Sequence, residues 1–197
     1  SIFIISDSGK IISFKSFLIN KPLVDVLEEK FKKKFAKNNE CVAVGSGTDA
    51  LHLAYILADI KKGDEVIAPL FTCTATNIPL LYIGAKIKFA DIDPRTMNIS
   101  IEHVKKLITK KTKAIVFVNY GGIPCDLGEL NKIKKKYKVT LIQDAAQSLG
   151  SKYRNKNITD YADFSIFSFQ AIKHISSGDG GMLTFKNKKL LDKSRRI

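Results

Sequence analysis

The stretch AIVFVNYGGIPCDLGELNKIKKKYKVTLIQDAAQ, residues 114–147, carries the pattern that decides the fold class. Ala114 to Asn119 is a short, β-branched apolar run that reads as a strand, Leu127 to Tyr137 reads as a helix, and Thr140 to Gln143 reads as a second strand. A strand, a crossover helix and another strand make a βαβ unit with its two strands parallel. The rhythm continues in both directions. Upstream, Leu23, Val26, Leu27, Phe31 and Phe35 recur at helical spacing, with lysines turned outward. Next come a strand at Cys41–Val44, a helix at Thr48–Ile60, a strand at Glu65–Ala68, a helical stretch at Thr76–Tyr82, a strand at Lys86–Ala90 and a helix at Ile101–Ile108. Downstream, Phe164–Phe169 reads as a strand and Gly181–Phe185 as a seventh. This alternation predicts an α/β, three-layer architecture, with a mostly parallel seven-stranded sheet covered by helices on both faces. No repeat or Pro/Gly-rich linker divides the chain, so one domain over residues 21–197 follows an N-terminal arm over residues 1–20.

Composition narrows the classes further. The chain has 197 residues, 45% hydrophobic and 26% charged, which fits a folded globular domain and excludes a largely disordered one. Thirty-three Lys and Arg against 19 Asp and Glu leave a net charge of +14, a balance that raises nucleic acid as a partner. Only Arg95, Arg154, Arg195 and Arg196 are arginines, however, and arginine is the side chain that best grips phosphates and guanine edges. The lysines lie along helical faces, as in Lys32-Lys33-Lys34 and Lys134-Lys135-Lys136, so no nucleic-acid partner is expected. Cys41, Cys73 and Cys125 form no C-x-x-C pair, which argues against a disulfide framework or a zinc site and for a reducing cytoplasm. No apolar run reaches the roughly 20 residues needed to span a bilayer, and the apolar opening Ser1–Ile5 lacks the flanks of a signal peptide.

In open α/β sheets ligands bind beyond the carboxyl ends of the strands, so the residues that follow each strand are the candidates for chemistry. Gly45-Ser46-Gly47-Thr48 stands between a strand and a helix, where free N–H groups and the positive end of the helix dipole suit a phosphate. A glycine turn with Ser or Thr as the helix cap is the plainer reading of this short motif alone. A dinucleotide fingerprint would need an acidic residue at the end of the second strand, where Pro69 stands, and no Gly-Lys-Ser/Thr completes a P-loop. Asp144 ends an apolar strand, where a carboxylate is costly to bury unless a cation or a proton meets it, although a helix cap or an ordinary salt bridge would also account for it. Lys173 lies between the apolar Phe164–Phe169 and the tight loop Ser176–Gly181; a partly desolvated amine there is a candidate Schiff-base nucleophile. An anion cup, a carboxylate and such a lysine together are what pyridoxal 5'-phosphate requires.

These motifs, in this order, resemble the large domain of the DegT/DnrJ/StrS sugar aminotransferases, within the aspartate-aminotransferase-like fold. The likeness runs from about Val42 to Arg196. It rests on Gly45–Leu51, Gly63–Ile67 with Pro69, Phe89–Asp93, Asp144–Ser148, and Ser168–Lys173 followed by Gly178–Met182. The resemblance implies that Lys173 bonds the pyridoxal aldehyde and moves the proton, while Asp144 holds the pyridine nitrogen protonated. It further implies that Gln147 contacts the hydroxyl side of the ring, and that Ser46, Gly47, Thr48 and Ser168 surround the phosphate. Cys73 occupies the cofactor-facing position where the family commonly has an aromatic, with Phe71 two residues earlier, so the stacking residue is unassigned. Family members continue into a smaller C-terminal domain. This chain stops at Ile197 and does not start with methionine, so a truncated large domain is expected.

The activity implied is transfer of an amino group, with glutamate as the expected donor, to a nucleotide-linked keto-deoxysugar by a cytoplasmic homodimer. No metal and no membrane enter this expectation. A sugar-dehydratase relative, which carries histidine in place of the lysine, and a non-catalytic PLP-fold domain are the alternatives.

Overall fold

A computed structural model of the chain describes residues 22–197 and, before them, only a backbone ladder between Ile4–Ile5 and Ile11–Ile12. The expected arm over residues 1–20 otherwise lies outside the described residues. The chain order is α1 (Leu23–Phe35), β1 (Glu40–Val44), α2 (Gly47–Leu57), β2 (Glu65–Pro69), α3 (Thr74–Ile83), β3 (Lys86–Ala90), α4 (Ile101–Leu107), β4 (Thr112–Val118), α5 (Leu127–Tyr137), β5 (Thr140–Asp144), β6 (Phe164–Ser168), β7 (Gly181–Phe185) and α6 (Leu191–Ser194).

The seven strands form one sheet in the order β1-β7-β6-β5-β4-β2-β3. β7 runs antiparallel to both β1 and β6, and every other neighbouring pair is parallel. The mostly parallel seven-stranded sheet is therefore present, with β7 as the single reversed strand. Alternation along each strand then builds two cores. On β5, Leu141 packs with residues of α1, α4 and α5, whereas its neighbour Ile142 packs with residues of α2 and α3. Helices thus cover both faces, and the interior strands are apolar on both sides.

Local chemistry sets the helix ends. The Asp126 carboxylate caps α5 by accepting from the Glu129 N–H, and Lys134, Lys135 and Lys136 stand in the last turn against the negative end of the dipole. α2 stops at Leu57, three residues before the Ile60 that the apolar pattern predicts. Asp59 turns left-handed at φ 57°, the Ile60 N–H reaches back to the Tyr55 carbonyl, and buried Ile60 seals the end. β1 lies at one edge of the sheet, where its Ala43 N–H donates to Glu28 Oε1 of α1 at 2.8 Å. The other Glu28 oxygen accepts from Arg195 at 2.6 Å. Among the described residues no helix is long and apolar enough to cross a membrane, and no group of three or more His, Cys, Asp or Glu could hold a metal ion.

Candidate active site

Six strands share one direction, so their carboxyl ends lie along one edge of the sheet and deliver the residues that follow them to a common place. Ser46, Gly47 and Thr48 follow β1, Asp144 ends β5, and Ser168 ends β6. The approach of α2 to β6 and β7 is close. A Cβ added to Gly47 would stand 2.9 Å from Ser168 Cβ, and one added to Gly181 would stand 2.3 Å from the Ser46 carbonyl oxygen. The Ser46 hydroxyl is engaged as the helix cap, accepting from the Asp49 N–H at 3.1 Å. The first-turn N–H groups of α2 have no intrahelical carbonyl to reach, and Thr48 and Ser168 stand at this close approach of α2 to β6. The capping reading of this motif is thus present in the structure: Ser46 is the N-cap of α2.

Asp144 is 5% exposed, and its neighbours across the ladder are Val118 and Ile166. Its Oδ2 accepts from Thr76 Oγ1 at 2.7 Å and its Oδ1 from the Ala146 N–H at 3.1 Å. Burial pushes its carboxyl above the usual aspartate range, against the pull of the Thr76 hydroxyl, the Ala146 N–H and the Lys173 charge. The hydroxyls of Thr76 and Thr72 are 2.7 Å apart. The buried Tyr55 phenol donates to the Thr76 carbonyl at 2.7 Å; burial and then the Asp144 charge push its own ionisation upward.

Lys173 is half-buried in a loop whose neighbours on either side, Ile172 and His174, are exposed. A turn set by Gln170 holds it, the Lys173 N–H donating to the Gln170 carbonyl and the Ile172 N–H to the Gln170 side chain. Its charge is one of the influences that pull the Asp144 carboxyl down against burial. Gln147 accepts the Gly121 N–H at 2.8 Å through Oε1. Cys73 is exposed at the N-cap of α3 with no side-chain capping bond, and the Phe71 ring lies against Tyr120, 5.0 Å between centroids. Thr72, Thr76 and Tyr55 were not among the residues singled out from the sequence. The repeated threonines of Thr72-Cys73-Thr74-Ala75-Thr76 were the available signal, a hydroxyl-rich start of a helix directly after a strand.

The chain matches the DegT/DnrJ/EryC1/StrS aminotransferase family over residues 11–197. It belongs to that family. Among curated relatives, the GDP-perosamine synthase of Escherichia coli O157:H7 is 39% identical over 168 residues, which cover 84% of this chain and 46% of that one. Among solved structures, the aminotransferase from Psychrobacter cryohalolentis superimposes with a TM-score of 0.84 at 33% identity, covering 87% of this chain and 44% of its own. The E. coli GDP-4-keto-6-deoxy-D-mannose-3-dehydratase, solved with bound hydrated PLP, superimposes at 0.82 and 32% identity, covering 89% and 46%. The chain thus spans less than half the length of these DegT/DnrJ/EryC1/StrS relatives.

Proposed function

We propose that this chain is the cofactor-binding part of a pyridoxal-phosphate-dependent aminotransferase that moves an amino group from glutamate to the keto group of a nucleotide-linked deoxysugar. The observation that carries the reading is the placement, at the carboxyl ends of strands that share one direction, of the buried Asp144 carboxylate, of Lys173 whose charge acts on it and of the α2 N-terminus packed against Ser168. The donor set suits the cofactor. Gly47 leaves no room for a side chain beside Ser168, so backbone N–H groups rather than carbons face the phosphate, and Asp144 still has lone pairs for a ring N–H after accepting from Thr76 and Ala146. The similarity to a GDP-perosamine synthase and to a GDP-4-keto-6-deoxymannose-3-dehydratase with bound GDP-perosamine supports the nucleotide-sugar class.

When bound, pyridoxal phosphate supplies an electron sink for the carbon that loses its proton. The Asp144 carboxylate would accept a charge-assisted bond from the ring N–H and so keep that nitrogen protonated. Lys173 would hold the cofactor through its Nζ and, when that amine is free, would serve as the base that moves a proton at the donor carbon. Thr48, Ser168 and the first N–H groups of α2 would hold the phosphate, and Gln147 would serve the hydroxyl side of the ring. Cys73 would be the residue at the cofactor-facing position after Thr72. Residues 21–197 act as one cofactor-binding unit in a cytoplasmic homodimer, preceded by an arm over residues 1–20.

The dehydratase reading is less well supported, since Lys173 occupies the position where such relatives have histidine and the adjacent His174 is exposed. Borohydride reduction of the chain with pyridoxal phosphate, followed by peptide mass spectrometry, tests the assignment. The expected adduct is on the peptide containing Lys173 and disappears in Lys173→Ala. An adduct on another lysine, or one that survives the substitution, overturns it.

A further inference from the structure

Asp144 sits where two of its hydrogen-bond partners come from elements far apart in the chain, Thr76 of α3 and Ala146 just beyond β5. Thr76 is fully buried, so no water competes for its hydroxyl. A threonine hydroxyl has one proton to give. While Asp144 is ionised that proton points to Oδ2, and the 2.7 Å contact between the threonine hydroxyls must then run from Thr72 to Thr76. The order is Thr72 O–H to Thr76 O–H to carboxylate, each bond polarising the next. The backbone that carries Thr76 is fixed at the same time: its N–H donates to the Cys73 carbonyl at 3.0 Å and its carbonyl accepts from the Tyr55 phenol at 2.7 Å.

We propose that Thr76 is a positioning residue for this site: supported by Thr72 and Tyr55, it locks the orientation of the Asp144 carboxylate and stabilises its charged form, leaving the lone pairs not used by Thr76 and Ala146 for a cationic N–H. The proposal deepens the reading of Asp144 as partner of the cofactor's ring nitrogen and rests on it. The other titratable groups coupled to the carboxylate are Tyr55 from α2 and Lys173 from the loop after β6; the strands on either side present Val118 and Ile166. Burial works against the charge here, so the anion depends on the few donors aimed at it.

The test reads the carboxylate directly. With ¹³C-labelled aspartate in the 197-residue chain and no cofactor added, the Asp144 carboxyl resonance is titrated in wild type, Thr76→Val, Thr76→Ser, Thr72→Val and Tyr55→Phe. Removing a hydroxyl donated to a buried anion moves the midpoint upward by about one pH unit in Thr76→Val. Thr76→Ser keeps the wild-type midpoint, and Thr72→Val and Tyr55→Phe move it in the same direction by less. If Thr76→Val does not fold, Thr72→Val and Tyr55→Phe carry the comparison. In parallel, equilibrium binding of pyridoxal phosphate is expected to weaken about ten-fold in Thr76→Val and to recover in Thr76→Ser. Coincident titrations for wild type, Thr76→Val and Thr72→Val, or a serine variant that behaves like the valine one, overturn the proposal. If wild type takes up no pyridoxal phosphate, the proposed function falls, while the carboxyl titration still decides the role of Thr76.

Discussion

Three glycines where α2 meets β6 and β7 allow the packing of the site to be tested by single methyl groups. In Gly181→Ala the new carbon would stand 2.3 Å from the Ser46 carbonyl oxygen, 2.5 Å from its carbon and 2.8 Å from the Gly47 nitrogen, all backbone atoms that no rotamer change can move. Relief requires β7 and the N-terminus of α2 to separate, although β7 is paired on both sides, so the cost lies at the upper end of overpacking, about 3 kcal/mol. For a domain of this size that lowers the melting temperature by roughly 6–12 °C. In Gly47→Ala the nearest atom, at 2.9 Å, is the β-carbon of Ser168, which can yield slightly, and the expected loss is about 1–2 kcal/mol. In Gly45→Ala the only close atom is the Asp49 carboxylate oxygen at 2.8 Å, which rotates away, and stability should stay within about 0.5 kcal/mol of wild type. Thermal and urea unfolding followed by circular dichroism should rank the variants Gly181, Gly47, Gly45 in decreasing damage. A Gly181→Ala chain that melts with the Gly45→Ala chain would show that β7 does not press against the start of α2.

Two further outcomes follow from burial. Asp144 titrates higher folded than unfolded, so the native state binds the proton more tightly. Its contribution to stability is present at pH values below the ordinary aspartate range and is lost as pH rises through the raised folded value. Asp144→Asn removes that slope, so its urea midpoint should gain on wild type as pH rises from about 4 towards neutrality; a difference that does not vary with pH refutes the assignment. Cys41 and Cys125 are buried and their thiols are pushed up to about 12, chiefly by burial, whereas Cys73 is exposed. A thiol reagent at neutral pH should therefore label Cys73 alone in the native chain and all three cysteines in urea, and rapid native labelling of either buried cysteine would contradict the packing around it.

The sequence carried the elements well where periodicity and punctuation agreed. Lys86–Ala90, Leu127–Tyr137 and Gly181–Phe185 appear with the expected limits. It failed at the end of α2, because Ile60 continues the apolar pattern while serving as the hydrophobic plug of a left-handed turn. Strand order was not legible either. The pairing of β7 between β1 and β6 depends on contacts between residues such as Leu183 and Val42, 141 positions apart, which no local pattern encodes. Within the site, Asp144 and Lys173 stood out because a carboxylate and an amine beside buried strands conflict with burial. Thr76 did not, since a threonine in an apolar helix raises no such conflict, and its partner lies 68 residues away.

The Glu28 carboxylate has a consequence beyond joining α1 to β1. A terminal strand offers outward N–H and C=O groups on which a strand from another molecule can build, and long bare edges of this kind nucleate aggregates. At the β1 edge the Ala43 N–H is already taken by Glu28, whose charge Arg195 balances. The opposite edge, β3, carries the exposed Lys86, the kind of charged side chain that discourages strand addition, while Lys88 is paired with Glu65 of β2 at 2.9 Å. The two ends of the sheet are thus defended differently, one by a carboxylate that occupies a donor and the other by charge that repels a partner. Association of copies through these described edges would first have to dislodge a bonded carboxylate or bury a lysine.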